Sequence, residues 1–265
     1  MNNIITIASW RELMEIFEAD TSFQNDIKRN RSNLAYRGTA DARWKNETSL
    51  QRTNLPKIDI VERHLLRSLK KYAPQSSVSY ESMWNWLTLG QHHGLPTRLL
   101  DWSFSMLSAL HFALEDHTIF EKADAAIWSV NLVELKKTLP AAIRKKFDAD
   151  GAFTFTLKTL DSFWDTLEKL TNYEGEDILI FFEPPSINER IVHQFALLST
   201  TRNPRTITGE WLEKHPELYR KIIIPRDLKW EFRDRLDQMN ITERIIYPGL
   251  DGLSKWLRRL YYYRK

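Results

Sequence analysis

The sequence predicts an α+β fold, a small sheet of short strands surrounded by helices, in a single domain over residues 1–265. Three observations predict it. Amphipathic stretches at helical spacing and short alternating runs succeed one another without the regular βα alternation of a doubly wound sheet. No internal repeat, low-complexity tract or linker divides the chain. Its 265 residues suit one large domain or two small ones, and a chain of this size buries a sizeable core without staples.

Residues 8–19 carry Trp10, Leu13, Ile16 and Phe17 on one helical face, with Ser9 as N-cap. A short strand over 33–38 ends at Gly38, and the polar residues 41–52 read as loop. Residues 59–72 form a helix with Val61, Leu65, Leu66 and Leu69 inward. A third helix over 81–92 stops at Gly94, which suits a left-handed C-cap, and Pro96 blocks continuation. Residues 97–102 read as a buried strand and Ser103 as the N-cap of an almost wholly apolar helix over 104–115. Strands follow at 124–130, 177–182, 189–201, 221–225 and 243–247. Helices fill most of 131–172, then 227–240 and 250–262.

Composition excludes whole classes of function. With no Cys there is no disulfide framework, thiolate zinc site, iron–sulfur cluster or cysteine nucleophile, and a reducing cytoplasm suits the chain. Eight Gly are roughly half the usual share of about 7%, which argues against a Gly-rich nucleotide loop. No signal peptide opens the chain and no apolar run is long enough to span a bilayer, so no membrane contact is expected. The net charge of +3 permits nucleic acid as a partner without demanding it. Ten Trp are unusual, and most of them belong in a core.

Three segments concentrate polar groups beside apolar runs. In Tyr36-Arg37-Gly38 an Arg at a strand end, followed by Gly, presents a fixed guanidinium where a phosphate can approach, unless it forms a surface ion pair. In the stretch 91–103, Gln91, His92, His93, Thr97, Arg98, Asp101 and Ser103 need partners among themselves or in a ligand. Arg98 with Asp101 as a buried pair fixing the loop is one reading. Zinc on His92, His93 and Asp101 is disfavoured because neighbouring His on one turn rarely converge, so no metal is expected. A Ser103–His–Asp101 triad lacks the Gly-x-Ser-x-Gly context. In a strand over 189–195, Arg190, Val192 and Gln194 share one face and Glu189, Ile191, His193 and Phe195 the other, so Arg190 and Gln194 project together into a cleft or solvent.

Taken with residues 36–52, 86–114, 125–128, 188–200 and 245–257, these segments resemble the FRG domain family, named for an aromatic-Arg-Gly motif. The resemblance covers about 30–258, and its QHHGLPTRLLDWS stretch is the most specific part. The order of elements also resembles an ADP-ribosyltransferase fold, which has an aromatic-Arg-Gly strand, a strand ending in Ser/Thr before an apolar helix, and a strand bearing a catalytic carboxylate. That resemblance implies a split sheet, NAD as substrate, Arg37 on its pyrophosphate or ribose, and Ser103 bracing the site. Tyr36, Gly38, Gln91, His92, His93, Thr97, Arg98 and Arg190 would line it. Gln194 falls where the superfamily carries Glu. The reaction it implies cleaves the nicotinamide–ribose bond through an oxocarbenium-like state. Gln keeps a hydrogen bond there but loses the charge, a deficit of about 2.7–4 kcal/mol, so Asp101 or Glu189 could be recruited.

The resulting expectation is an NAD-consuming ADP-ribosyltransferase-like enzyme with a macromolecular acceptor, RNA or DNA before protein. A bacterial toxin or phage-defence effector with an antitoxin partner fits such a chain. The basic, aromatic residues 256–265 suit backbone contact and base stacking, or alternatively a docked helix with a solvated tail. The rivals are a non-catalytic nucleotide-binding module, with Arg37, Arg98 and Arg190 on phosphates, and a metal-independent nuclease.

Overall fold

The structure, a computed structural model, describes residues 3–25, 27–186 and 189–262. Its strands are β1 (Ile4–Thr6), β2 (Ser22–Gln24), β3 (Arg29–Arg31), β4 (Leu34–Thr39), β5 (Leu100–Ser103), β6 (Ala125–Asn131), β7 (Leu179–Phe182), β8 (Ala196–Thr201) and β9 (Tyr219–Ile224). The first helices are α1 (Trp10–Ala19), α2 (Ile58–Tyr72), α3 (Met83–His92) and α4 (Met106–Ala113). Then come α5 (Leu132–Thr138), α6 (Ala141–Asp150), α7 (Leu157–Phe163), α8 (Leu167–Thr171) and α9 (Glu189–His193). The last are α10 (Thr208–Glu213), α11 (Lys229–Gln238), α12 (Glu243–Ile246) and α13 (Leu250–Leu260).

Among the described residues seven strands form one mixed sheet in the order β1-β9-β6-β4-β5-β8-β7, and β2 with β3 forms a separate hairpin. The pair β1–β9 is parallel and the other neighbours in the large sheet are antiparallel. The sheet is therefore not small. The sequence reading missed β1, a three-residue strand with no legible alternation, and periodicity does not show that the remaining strands join in one sheet.

Most predicted helices form where the apolar spacing put them. Ser9 caps α1, its Oγ accepting from the Glu12 amide at 3.2 Å, and Glu12 Oε2 accepts from the amide of Ala8, the residue before the cap, at 2.8 Å. Gly94 takes φ +82° just past α3. Two expectations are corrected. Residues 189–201 are a short helix, α9, then a turn, then β8. Residues 243–247 hold the helix α12. Both carry β-branched residues whose alternation mimics a strand, and tertiary packing overrides that local preference. Ser103 is not the cap of α4; Ser105 is, its side chain accepting from the Ser108 amide.

The sheet is buried on both faces. Tyr36, Ile127, Ile222 and Ile224 meet α1, α4 and α11, while Ala35, Trp102, Trp128 and Leu197 pack with Leu132, Leu135 and Trp211. A third cluster places Trp84, Trp86 and Trp164 over Phe182 and Leu198. Trp10, Trp84, Trp86, Trp102, Trp128, Trp164 and Trp211 are all buried, as the composition suggested. No described helix is long and apolar enough to cross a membrane.

Helix α4 lies directly on β4. A Cβ on Gly38 would sit 1.8 Å from the Ala109 carbonyl oxygen, so backbone meets backbone there. Gly38→Ala should destabilise the protein by about 1–3 kcal/mol or more, read as a lower urea midpoint. His111 on the same helix is fully buried, and its Nδ1 accepts from Arg233 Nη1 at 2.8 Å. Burial, reinforced by the Arg233 charge, pushes its pKa down to about 3. The unfolded imidazole protonates near 6.5, so between about 6.5 and 3 the unfolded state holds one more proton. That contribution to stability is complete above 6.5 and falls by about 1.4 kcal/mol per pH unit on acidification. His111→Gln, which keeps an acceptor for Arg233, should flatten this acid limb in pH-dependent denaturation.

Candidate functional site

Strand β4 sends alternate side chains to opposite faces. Tyr36 points into the core beneath α4, its hydroxyl donating to Asp20 Oδ2 at 3.1 Å. Arg37 points the other way. Strands β4 and β5 pair at one position only, Tyr36 with Ser103, and then separate. The Arg37 guanidinium spans the gap, with Nη1 donating to the Asp101 main-chain oxygen at 2.5 Å and Nε to Asn46 Oδ1 at 3.1 Å. Both acceptors are uncharged. Among the described residues no carboxylate forms an ion pair with Arg37, and burial lowers its pKa, opposed by the Asp101 charge and reinforced by Arg52. A half-buried cation answered only by neutral oxygens is suited to an anionic ligand.

Asp101 joins two neighbourhoods. Its main chain serves Arg37 and its carboxylate accepts from Gln91 Nε2 at 3.1 Å. Gln91 Oε1 in turn accepts from Thr97 Oγ1 at 2.5 Å, and Thr97 Oγ1 accepts from the Leu99 amide at 3.2 Å. Gln91 and Thr97 thus tie the end of α3 to the start of β5. On β8's side, Ser103 Oγ donates to the Gln194 carbonyl at 2.7 Å and accepts from the Ser105 amide at 2.9 Å. Phe195, at φ +49°, completes the turn into β8.

Arg98 does not pair with Asp101. It is 2% exposed and forms a buried ion pair with Glu62 of α2, with Nη2 and Nε both on that carboxylate and Nη1 on the Arg202 carbonyl at 3.0 Å. The sequence could not reveal this partner, because the two residues lie 36 positions apart on separate elements. Gln194 and Arg190 do not project together from a strand either. Gln194 lies in the turn after α9, and its Nε2 donates to the Ile246 carbonyl at 3.2 Å. Arg190 lies on α9 with its guanidinium 4.9 Å from the centre of the Tyr247 ring.

Two cavities flank these groups. One, of about 950 Å³, is lined by His92, Glu115, Arg190, Tyr247 and Lys255 among others. Tyr247 sits under two cations, Arg190 and Lys255, and donates to Glu115 Oε2 at 2.8 Å; burial and that carboxylate raise its pKa. Burial lowers the His92 pKa, with Arg190 and His93 adding to the effect. His93 is exposed and meets His92 edge-on. The other cavity, of about 590 Å³, is lined by Arg37, Trp44, Lys45, Asn46 and Arg52 among others. Arg37 and the pair His92 and Arg190 therefore line different cavities, with Asp101 between them. Among the described residues no group of three or more His, Asp and Glu is placed to hold a metal ion.

Asn46, Trp44 and Arg52 escaped the sequence reading, which took 41–52 as a polar loop. The loop is in fact braced. The Gly209 amide donates to the Lys45 carbonyl at 2.9 Å, and Thr48 and Gln51 bond each other reciprocally. Gln51 Nε2 also reaches the carbonyls of Pro204 and Thr206.

Residues 32–122 match the FRG domain family model. The match takes in Tyr36-Arg37-Gly38, the braced loop and the whole 91–103 segment, so the Arg37 cavity lies inside the FRG segment. It ends before Arg190 and Gln194, short of the 30–258 span of the resemblance. No curated protein and no solved structure shows a significant match to the chain.

The C-terminal helix is docked rather than a loose basic arm. Arg259 is buried, paired with Glu243 and with Asp237 at 2.7 Å, and Arg244 covers the Trp256 ring at 4.8 Å. Tyr262 stacks on Trp230, and Tyr263, Arg264 and Lys265 lie outside the described residues, as does Asn188 of the 188–200 stretch.

The Arg98–Glu62 pair gives a direct check on its structural role. Glu62→Gln should cost about 3–5 kcal/mol by leaving a buried guanidinium without its counter-charge. The double replacement of Arg98 and Glu62 by Met should recover most of that loss in urea denaturation, as removing both charges removes the desolvation penalty.

Proposed function

We propose that the protein is an ADP-ribosyltransferase-like enzyme that takes NAD at the junction of β4, β5 and β8 and transfers ADP-ribose to a macromolecular acceptor. One observation carries this reading. Of the three stretches that the resemblance requires, 36–38 and 100–103 lie on neighbouring strands of one sheet and 189–195 is the helix and turn that lead into the next strand, β8, and side chains bridge them: Arg37 to the Asp101 main chain and Ser103 to the Gln194 main chain.

The fit is good for the phosphates and altered for the carboxylate. Among the described residues no carboxylate forms an ion pair with Arg37, although the Asp101 charge acts on it, and a guanidinium matches phosphate oxygens in geometry. Gln194 carries no charge and its amide is committed to Ile246. Asp101, exposed on β5 beside Arg37, is the carboxylate best situated to support positive charge on the ribose. In the reaction the C1′–N bond breaks and nicotinamide leaves with the electron pair as a neutral base. The acceptor's nucleophile forms the new bond and releases its proton. A toxin or phage-defence role, with nucleic acid as acceptor, is consistent with the +3 charge of the chain.

Labelled NAD incubated with the protein and RNA, DNA or lysate should yield nicotinamide together with labelled polymer. Arg37→Ala should abolish both signals, and Asp101→Asn should slow nicotinamide release by about 10²–10³-fold, the usual cost of one lost electrostatic partner. Undiminished release in both variants would remove the site, and NAD binding with no nicotinamide formed would leave a nucleotide-binding module in its place.

A further inference from the structure

The cavity of Arg37, Trp44, Asn46 and Arg52 has an uncommon polarity. Asn46 lines it, is 2% exposed and holds a left-handed φ of +59°. Its Oδ1 accepts from Arg37 Nε at 3.1 Å. A guanidinium only donates, so the amide oxygen must face Arg37 and the NH₂ must face elsewhere. That Nδ2 is buried and has no hydrogen-bond partner among the described residues. A buried amide donor without an acceptor costs about 1–3 kcal/mol, a cost that an acceptor brought by a ligand would remove.

The cavity's lining includes one carboxylate, the exposed Glu47, against four cations, and the cations fall into two sets. Arg43 is held by Asp41 at 2.6 Å and Lys45 by Glu210 at 2.9 Å. Arg37 and Arg52 make no ion pair among the described residues; Arg52 Nη1 donates to the Glu47 carbonyl at 2.6 Å, and its charge works against that of Arg37. Two guanidiniums that repel each other and an orphaned NH₂ all donate, so a ligand that met all three would be an anion rich in acceptors. Trp44, 54% exposed, stands at the same cavity and offers an uncovered indole face.

We propose that this cavity binds a nucleoside diphosphate group, its phosphates received by Arg37, Arg52 and Asn46 Nδ2 and its base stacked on Trp44. The proposal shares Arg37 with the transfer reading above and otherwise does not depend on the transfer chemistry. Phosphate oxygens supply acceptors for all three donors, and a planar base is the natural cover for an indole adjoining a phosphate site. The braced backbone around Lys45 and Gln51 holds Asn46 in place before any ligand arrives.

The test is calorimetric titration of the full chain with ADP, adenosine and inorganic pyrophosphate, with tryptophan fluorescence in parallel. ADP should bind more tightly than either fragment and change the fluorescence. Asn46→Asp keeps an acceptor on Arg37 and tolerates a left-handed backbone, but it replaces the donor with an anion. It should weaken ADP binding by about tenfold to a hundredfold while the protein melts as a cooperative fold. Trp44→Ala, at an exposed position, should weaken ADP binding by about five- to a hundredfold and leave pyrophosphate binding unchanged. Absence of ADP binding to the unaltered protein, or ADP binding unaffected in Asn46→Asp, overturns the proposal. Equal affinity for ADP and pyrophosphate overturns the stacked base. ADP binding sensitive to both variants, in a protein that releases no nicotinamide from NAD, upholds this site and removes the transfer reading. Nicotinamide release undiminished in Asn46→Asp does the reverse.

Discussion

The structure turns on the place where β4 and β5 stop pairing. They meet only at Tyr36 and Ser103, next to the place where α4 rests on β4 so closely that a Cβ on Gly38 would strike its backbone. A sheet that opens leaves main-chain groups in need of partners, and buried ones must find them. Arg37 does at the Asp101 carbonyl what a ladder amide does in a continuous sheet. Its guanidinium is thereby fixed in a gap between two elements, with the rest of its donor capacity turned to the adjoining cavity.

Two arginines of the FRG segment show how differently a sequestered charge can be handled. Arg98 is neutralised at contact by Glu62 and further bonded to the Arg202 carbonyl, so its donors are consumed and its role is to join α2, β5 and the end of β8. Among the described residues Arg37 forms no such ion pair, and burial presses against its ionised form, with the Asp101 charge opposing. The first arrangement is self-sufficient. The second leaves a charge without a contact counter-ion, and it is this contrast, more than burial itself, that makes Arg37 rather than Arg98 the candidate for an anionic ligand.

The larger cavity has another chemistry. Tyr247 carries two cations over its ring and a carboxylate on its hydroxyl, and His92 is held toward its neutral form by burial and by Arg190. Acidic and basic groups there already answer one another, whereas the Arg37 cavity presents donors in excess. Asp101 is the hinge between the two, main chain to one and charge felt in both. Gln194, placed by its turn and tied to α12, shapes this boundary through its backbone carbonyl on Ser103.

Local rules sufficed for much of the chain. Apolar spacing located α1, α2, α3 and α4, with Ser9 marking the start of α1, the absence of Cys removed thiol and thiolate chemistry, and the density of polar groups at 36–38 and 91–103 singled out the segment that the FRG match covers. What the sequence by itself determined is therefore the set of elements that local periodicity encodes and the residues worth watching. Only the tertiary structure decided their partners. Glu62 for Arg98, Ile246 for Gln194 and Asn46 for Arg37 all depend on which elements pack together, and residues 189–193 and 243–246 became helices although their patterns also suit strands. Periodicity is a property of neighbours in sequence. A hydrogen-bond partner, a cavity or an orphaned amide is a property of neighbours in space, and packing alone brings those together.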